Sequence, residues 1–383
     1  ARVPGVLPET EAEHGLSGIR AAAFQAFFAL PGPGANRAGP VYIHPRVWYY
    51  TFYIKTHFLR GSNFMLRRIL PVFVAAILLL AAGCGKPAGQ AGQIRIGGLT
   101  GPTSMGMVKV MESAKDGDDY VFTIAGSADE LTLKLIQGDL DLAAIPANLA
   151  SVLYNNTEGE IVLLAVNTLG VLYIVEKGDT VNSFSDLRGK TIYATGKGSV
   201  PEYVLKYLLT GNGIDPENDV SIRWKSEPAE VVALMGEEGS GIAMLPQPYV
   251  TVAKGQLEGL RVCADLTEEW EKLDNGSVLI TGVLAARKEF VDKHPDELEK
   301  FLREYSQSVE FVNSEVAQAA RLIEEFGIFK AAVAEKAIPE CNITYMAGEK
   351  MKSAVQGYLK VLFDQNPKAV GGSLPGNDFY YEE

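Results

Sequence analysis

The chain has 383 residues, 47% of them hydrophobic, and a formal net charge of −12 at neutral pH. This acidic balance argues against binding to nucleic acid, whose phosphates require a basic surface, and against an electrostatic membrane patch. The four histidines lack metal-ligand spacing, so we expect no metal site and no cofactor. The length is sufficient for two domains of ordinary size, each with its own core.

Residues 65–84 have the order of a bacterial lipoprotein signal. Residues 65–68 form a short basic start, residues 69–80 are apolar, and small residues lead to Cys84. The apolar run is too short to span a bilayer comfortably as a mature helix. We therefore expect a signal peptide over residues 65–83 and lipidation of Cys84, which would hold the protein outside the cell membrane on a lipid anchor. A membrane anchor or a buried helix is the alternative.

Residues 1–64 require a separate interpretation. They mix Pro, Gly, Arg and aromatic residues without a sustained period, and the sequence opens with Ala1. Because a secretion signal rarely works from an internal position, we interpret residues 1–64 as a non-native upstream extension, with a cytoplasmic extension as the alternative. Residues 84–93 are rich in Gly, Pro, Ala and Gln, which is typical of a flexible tether.

From Ile94 onward, short apolar runs alternate with helical patterns. This alternation predicts an α/β fold with largely parallel sheets, followed by a mainly helical C-terminal part. The predicted strands are 94–97, 121–124, 140–145, 161–166, 171–175, 191–194, 220–224 and 241–245, and the predicted helices are 103–113, 129–137, 201–209, 229–235 and an amphipathic helix within 295–313.

The chain also repeats a local pattern. Residues 127–146 and residues 226–246 each contain a helix start, a glycine stop, a buried strand and a proline at the carboxyl end of that strand. The spacing of about a hundred residues is too long for a solenoid repeat. It predicts two similar lobes, each with the same loop at the end of a strand, although two αβ units can also match by chance.

At these residues the chain resembles the extracytoplasmic solute-binding proteins of ABC importers, in particular the nitrate, sulfonate, taurine and thiamine-precursor group. The matching pieces cover nearly all of residues 94–383. The most specific is Asp186-Leu187-Arg188-Gly189-Lys190, and weaker pieces are residues 138–143, 198–201 and 293–295.

The resemblance implies a type II periplasmic-binding-protein-like fold, in which two α/β lobes are joined by crossing strands and hold a ligand between them. It implies a first lobe of residues 94–176 and 285–383 and a second lobe of residues 177–284. The chain would cross near residues 168–170 and 281–283, where Gly170 and Gly282 suit a bent or closely packed backbone.

Ligands of open α/β sheets gather beyond the carboxyl ends of strands, and helix N-termini there offer free N–H groups to carboxylate, sulfonate or phosphate. Four loops and one crossing segment meet this description, and Lys197 is the one cation in the four loops. The candidate ligand-binding residues are Thr100, Gly101, Pro102, Thr103 and Ser104; Pro146, Ala147 and Asn148; Thr168; Gly196, Lys197, Gly198 and Ser199; and Pro246, Gln247 and Tyr249.

Each loop also has a purely structural interpretation. The Gly196–Gly198 sequence could be only a tight turn, and Thr103 and Ser104 could simply cap a helix. Tyr249 and Trp224 could stack on a ligand ring or could be core aromatics. Cys263 is interpreted as a small core residue, and whether it pairs with Cys341 stays open.

We expect a non-enzymatic, monomeric binding protein that captures a small organic solute and delivers it to an ABC permease and its ATPase. No nucleophile–base motif is evident in the sequence. The alternatives are a sensory lipoprotein and an enzyme on the same fold, such as the menaquinone- or pyrimidine-synthesis relatives. The ligand itself is left open, because a neutral polar or a weakly anionic solute would suit this loop set equally well.

Overall fold

The computed structural model describes residues 93–117 and 119–382. The predicted upstream extension (1–64), the signal peptide (65–83), Cys84 and the tether up to residue 92 lie outside the described residues. Within the described part, no helix is both long and apolar enough to cross a membrane.

Strands and helices alternate through the first two thirds of the described chain, and helices dominate the last third. The strands are β1 Ile94–Leu99, β2 Tyr120–Ala125, β3 Leu142–Pro146, β4 Ile161–Leu169, β5 Leu172–Lys177, β6 Thr191–Thr195, β7 Ser221–Lys225, β8 Gly241–Pro246, β9 Leu260–Asp265, β10 Ile280–Arg287 and β11 Ile343–Met346. The helices are α1 Pro102–Met105, α2 Val108–Ser113, α3 Ala128–Gln137, α4 Ala147–Asn156, α5 Val200–Gly211, α6 Pro228–Glu238, α7 Tyr249–Gln256, α8 Leu266–Lys272, α9 Lys288–Lys293, α10 Pro295–Ser314, α11 Val316–Glu325, α12 Ala331–Ala337 and α13 Gly348–Gln365.

Local sequence signals explain the first half of the repeat. The Ser127 hydroxyl accepts a hydrogen bond from the Glu130 amide at the start of α3, and Gly138 ends the helix in the left-handed conformation. The Asp141 carboxylate then accepts hydrogen bonds from the backbone N–H and the Nε of Arg95, both at 2.9 Å. This pair fixes the entry of β3 against β1, which lies beside it in the sheet.

The predicted repeat is confirmed at the level of topology. The first sheet has the order β11-β4-β10-β3-β1-β2 and the second has the order β7-β6-β8-β5-β9. Strands β3 and β8, which carry the repeated sequence, occupy equivalent places beside β1 and β6. Helices α3 and α6, which precede these strands, are equivalent as well.

The sheets are mixed: in each sheet most strands run in one direction, as expected, but β10 and β11 in the first sheet and β5 in the second run the opposite way. Strand β10 runs antiparallel between β3 and β4, and β5 runs antiparallel between β8 and β9. Strand β5 follows β4 of the first sheet in sequence, and β10 follows β9 of the second sheet. Each therefore crosses from one sheet to the other and runs antiparallel to its neighbours there. Two strands also pair outside the lobe in which they were expected. Strand β5, expected in the first lobe, pairs in the second sheet, and the whole of β10, whose first half was expected in the second lobe, pairs in the first sheet.

Each sheet and the helices that pack on it form one lobe: the first lobe contains the first sheet, and the second lobe contains the second sheet. One hydrophobic core covers one face of both sheets and includes residues of α4, α5, α8 and α13. The opposite face of the first sheet has a separate core with α10, α11 and α12. The opposite face of the second sheet has a third core with α6 and α7.

Candidate functional site

The carboxyl ends of β3 and β4 lie on either side of Gly282, near the start of β10. Gly282 lies opposite Pro146 of β3 and Thr168 of β4. A Cβ atom at Gly282 would lie 2.6 Å from the Thr103 Cγ2 and 2.7 Å from the Asn167 Oδ1. The structure therefore brings three predicted site residues, Thr103, Pro146 and Thr168, around one glycine, which here approaches protein side chains closely.

The hydroxyls of the first loop bond within their own lobe. The Ser104 hydroxyl donates to the Leu99 carbonyl at 2.6 Å, and the Thr103 hydroxyl makes a longer contact of 3.5 Å with the same oxygen. The exposed Thr100 donates to the Ala125 carbonyl at 3.3 Å. Gly101 precedes α1, which begins at Pro102, one residue before the predicted start. These hydroxyls close the end of β1.

Asn148 is held by the C-terminal segment. It is 1% exposed, and its Nδ2 donates to the Ala369 carbonyl at 3.2 Å, while Ser151 on the next turn donates to the Val370 carbonyl at 2.8 Å. The Asn148 Oδ1 is buried and has no hydrogen-bond partner among the described residues. Ala147, the first residue of α4, is fully buried beside it. In this conformation Asn148 joins α4 to the chain's C-terminal part.

Asn167 is a polar residue of the site that the sequence reasoning missed. It is fully buried, its Nδ2 contacts the Thr103 carbonyl at 3.5 Å, and its Oδ1 accepts a hydrogen bond from the Thr168 hydroxyl at 3.1 Å. The signal was present in the sequence, because the Asn167-Thr168 pair interrupts an apolar run at the end of β4.

The loop before α5 is a tight turn stabilised by a carboxylate. Gly196 and Gly198 have φ values of 80° and 79°, which favour glycine, and a Cβ at Gly196 would lie 2.6 Å from Pro201. The Gly198 N–H donates to the Glu202 Oε2 at 2.6 Å, and the Lys206 Nζ lies 2.9 Å from the Glu202 Oε1.

Glu202 is the second site residue that the sequence reasoning missed. Its carboxylate accepts a hydrogen bond from the Gly198 N–H, one of the groups predicted to bind an anion. Its negative charge also partly balances the positive end of the helix dipole. Lys197 is exposed, and Ser199 is half-buried with no capping bond from its side chain. In this loop Ser199 is therefore a polar side chain without an internal capping role.

The equivalent loop of the second repeat is tied to the crossing segment. The Gln247 N–H donates to the Val171 carbonyl at 2.9 Å, and Pro246 lies opposite Leu172 of β5. The Gln247 Oε1 accepts hydrogen bonds from the Thr251 N–H and hydroxyl, at 3.3 and 2.9 Å. Gln247 and Pro246 thus lie beside Val171 and Leu172, close in sequence to Thr168, which lies opposite Gly282.

Tyr249, the first residue of α7, meets an aromatic ring of the first lobe. Its ring centroid lies 5.3 Å from that of Phe329, and the two planes make an angle of 79°. Burial, and to a lesser extent the negative charge of Glu227, raises the pKa of the Tyr249 phenol. Trp224 lies partly buried against the shared core on β7.

A separate groove of about 970 Å³ runs between α5 of the second lobe and α13 of the first. It begins beside Glu202 and Tyr203 and extends to the α13 end near Asn366. In the described ranges, no group of three or more His, Cys, Asp or Glu side chains could hold a metal ion. Cys263 and Cys341 are both free thiols.

The two sheets have matching strand orders, and each receives one strand, β10 or β5, that arrives from the other sheet. This arrangement defines a two-lobe fold of the periplasmic-binding-protein kind. Residues 107–335 match the model of the phosphonate-binding periplasmic substrate-binding proteins of ABC transporters. The chain belongs to this family of periplasmic substrate-binding proteins of ABC transporters. The predicted family resemblance and fold class are confirmed.

Solved structures show the same fold. An ABC transporter protein from Parabacteroides distasonis is 24% identical, with 76% of this chain and 99% of that chain covered and a TM-score of 0.65. The aliphatic sulphonate binding protein SsuA from Escherichia coli is 17% identical, with 76% and 93% covered and a TM-score of 0.61. The nitrate-binding protein NrtA from Synechocystis PCC 6803 is 15% identical, with 72% and 82% covered and a TM-score of 0.54. No curated protein sequence matches the chain.

Proposed function

We propose that this protein is the lipid-anchored substrate-binding component of an ABC importer, and that it captures a small organic solute between its two lobes and delivers it to a membrane permease. The observation that carries the proposal is the convergence of loops from both lobes on residues 168–172. Pro146 of the first lobe lies opposite Gly282, which also lies opposite Thr168 of the segment, and Gln247 of the second lobe donates its N–H to the Val171 carbonyl.

The proposed ligand contacts are the predicted loop residues, and Ser199 and Gln247 have the strongest support among them. Ser199 precedes a 12-residue helix and makes no capping bond with its side chain. Gln247 is held with its Oε1 toward Thr251, which leaves its Nε2 without a hydrogen-bond acceptor among the described residues. A hydroxyl and an amide donor suit a polar solute, whether neutral or weakly anionic.

A thermal-shift screen of the full chain tests the capture of a solute. The panel holds alkylphosphonates, sulfonates, nitrate, amino acids, nucleobases, thiamine precursors and aromatic carboxylates. A ligand that binds only the folded state, at 100 times its Kd, adds about 2.7 kcal/mol to the free energy of unfolding. We expect Ser199→Ala to weaken such a hit and Ser353→Ala, an exposed change on α13, to leave it unchanged. Equal weakening by both variants would remove the loop from the site.

Lipid anchoring is tested separately in cells. The basic start, apolar run and small residues before Cys84 support lipidation at that thiol. Metabolic labelling with an alkyne fatty acid in a bacterial host should label the wild type, and Cys84→Ala should abolish the label. Labelling of both proteins, or of neither, would contradict the lipoprotein assignment while leaving solute capture open.

A further inference from the structure

The three hydrophobic cores are distributed asymmetrically between the lobes. On one side, a single core includes Leu208 of α5 in the second lobe and Leu359 of α13 in the first. On the other side, the cores of the two lobes are separate. The lobes are therefore joined by continuous apolar packing along one side and by individual contacts along the other.

The continuous side is centred on Trp270 of α8. The Trp270 ring lies 4.8 Å from that of Tyr207 in the second lobe and 5.6 Å from that of Tyr358 in the first, between centroids. Its Nε1 donates to the carbonyl and hydroxyl oxygens of Ser277, both at 3.2 Å, in the segment that returns the chain to the first sheet. Trp270 and Tyr358 are fully buried.

On the other side, individual side chains connect the separate cores. Tyr249 packs at the edge of the second-lobe core, and Phe329 packs at the edge of the first-lobe core. Their rings meet edge to face with a centroid distance of 5.3 Å. Tyr173 of β5 reaches the first lobe as well, where its hydroxyl donates to the Glu340 carbonyl at 3.3 Å.

From this asymmetry we propose that the Tyr249–Phe329 ring pair is the latch that holds the lobes together on the side where their cores are separate, while the Trp270 cluster (Tyr207, Trp270, Tyr358) is the pivot. Opening the lobes about the pivot separates two rings at the margins of two cores and leaves the shared core packed. Separating the lobes at the pivot side would expose a buried tryptophan and a buried tyrosine, which costs far more.

Tyr249 is accordingly a positioning residue, whose role is to set the population of the closed state. A ligand that binds between the lobes is retained in proportion to that population. An edge-to-face aromatic pair contributes enough to change the ratio of closed to open molecules by roughly 3- to 10-fold when one ring is removed. This consequence for affinity rests on the proposed function, whereas the latch itself does not.

Distance measurement by pulsed electron spin resonance tests the latch in the full chain. Nitroxide labels carried by an unnatural amino acid at the exposed positions Lys254 of α7 and Lys336 of α12 report the separation of the lobes at the latch side. We expect Phe329→Ala to move the ratio of short to long distances by roughly 3- to 10-fold toward the long ones. Phe329→Leu, which keeps an apolar side chain without the ring, should show the same direction and a smaller change.

A matched control removes a ring of similar geometry inside one lobe. Tyr154 and Phe379 also meet edge to face, at 5.1 Å and 62°, and both belong to the first lobe. Tyr154→Ala should leave the distance distribution unchanged. The double variant Tyr249→Ala/Phe329→Ala should shift the distribution no further than either single variant, because one contact is lost in each case.

Several results would overturn the proposal. A wild type with only the long distance would mean that the contact does not form in solution. A short distance that persists in both Phe329 variants would mean that the rings do not hold the lobes. Equal shifts in Tyr154→Ala and Phe329→Ala would assign both rings a general structural role.

Ligand kinetics separate the latch from the proposed function. If the screen identifies a ligand, Phe329→Ala should raise its dissociation rate by roughly 3- to 10-fold with little change in association rate. An unchanged dissociation rate together with shifted distances would restrict the latch to lobe motion without a role in retention. If no ligand is found, the distance measurement still decides the latch on its own.

Discussion

Replacing Glu176 by glutamine should destabilise the protein in a manner that depends on pH. Glu176 lies on β5, and its side chain is 3% exposed. Its carboxylate accepts hydrogen bonds from the Thr180 hydroxyl at 2.6 Å, from the Val181 N–H at 3.1 Å and from the Arg261 guanidinium at 2.5 Å. Hydrogen bonds to a charged carboxylate are stronger than those to a neutral amide, and the glutamine NH₂ group cannot accept a hydrogen bond at all.

The magnitude follows from the pKa of Glu176. Burial opposes ionisation, but the hydrogen bonds from Thr180, Val181 and Arg261 outweigh it and lower the pKa from its ordinary value of 4.5 to about 2. At about 1.4 kcal/mol per pKa unit, this difference corresponds to at most about 3.5 kcal/mol of stability. Because a third of the Arg261 side chain is exposed, solvent screens part of the ion pair, and we expect a loss of about 2 kcal/mol at pH 7.

The sign of the pH dependence is fixed by the lowered pKa. A carboxylate with a depressed folded-state pKa contributes its full stability above the unfolded value, and that stability is lost as the pH falls toward the folded value. The free energy of unfolding of wild type minus that of Glu176→Gln should therefore be constant from pH 7 to about 5 and shrink between pH 4.5 and about 2.

Urea unfolding followed by circular dichroism, at pH values of about 7, 5, 4, 3 and 2.5, measures this difference. Glu310→Gln, an exposed change on α10, is the control and should give a small difference at every pH. A gap between wild type and Glu176→Gln that is as large at about pH 2.5 as at about pH 7 would refute the linkage to ionisation.

Two further predictions concern packing and charge. Gly282→Ala should lower the free energy of unfolding by about 1–3 kcal/mol, because its Cβ would lie 2.6 Å from Thr103 Cγ2, whereas Gly255→Ala, with nothing within 4 Å, should be neutral or stabilising. Chemical denaturation compares the two, and equal effects would contradict the close approach. Arg95→Gln should cost about 2–3 kcal/mol, since it leaves the Asp141 carboxylate, 6% exposed, without its ionic partner. The surface variant Lys109→Gln, which breaks an exposed pair with Glu112, should cost far less in the same assay, and a similar cost for both would contradict this ranking.

The local elements of the fold were predictable where short-range signals specify them. Ser127, Gly138 and the buried run of β3 define a helix, its end and a strand. At the second copy the buried run of β8 recurs, but Glu227 caps α6 without a side-chain bond, and the helix runs past the predicted end at residue 235 to a left-handed Gly239. The predicted single helix over 103–113 is instead two helices, α1 and α2, separated at Gly106 and Met107. The repeat nevertheless predicted the equivalent positions of β3 and β8.

The direction and partners of β5 and β10 could not be predicted from local patterns. Both are apolar runs that suit a buried strand in either sheet, and their neighbours are chosen by contacts between distant parts of the chain. The same limit applies to the site. The position of the four loops follows from strand ends, but Asn148 is bonded to Ala369, which lies more than two hundred residues away in sequence.

The asymmetry of the cores links the repeat to the way in which the lobes are joined. Two half-folds with equivalent strand order would, by themselves, be free to bend toward either face at their crossing strands. The C-terminal helix α13 breaks this equivalence, because Tyr358 and Leu359 bring apolar surface from the first lobe into the core that also contains α5 and α8. Bending then exposes least apolar area when it opens the opposite face, where Tyr249 meets Phe329 and Tyr173 meets Glu340 at the margins of separate cores. The packing of α13 against α5 and α8 thus gives two sheets of equivalent strand order one favoured direction of opening.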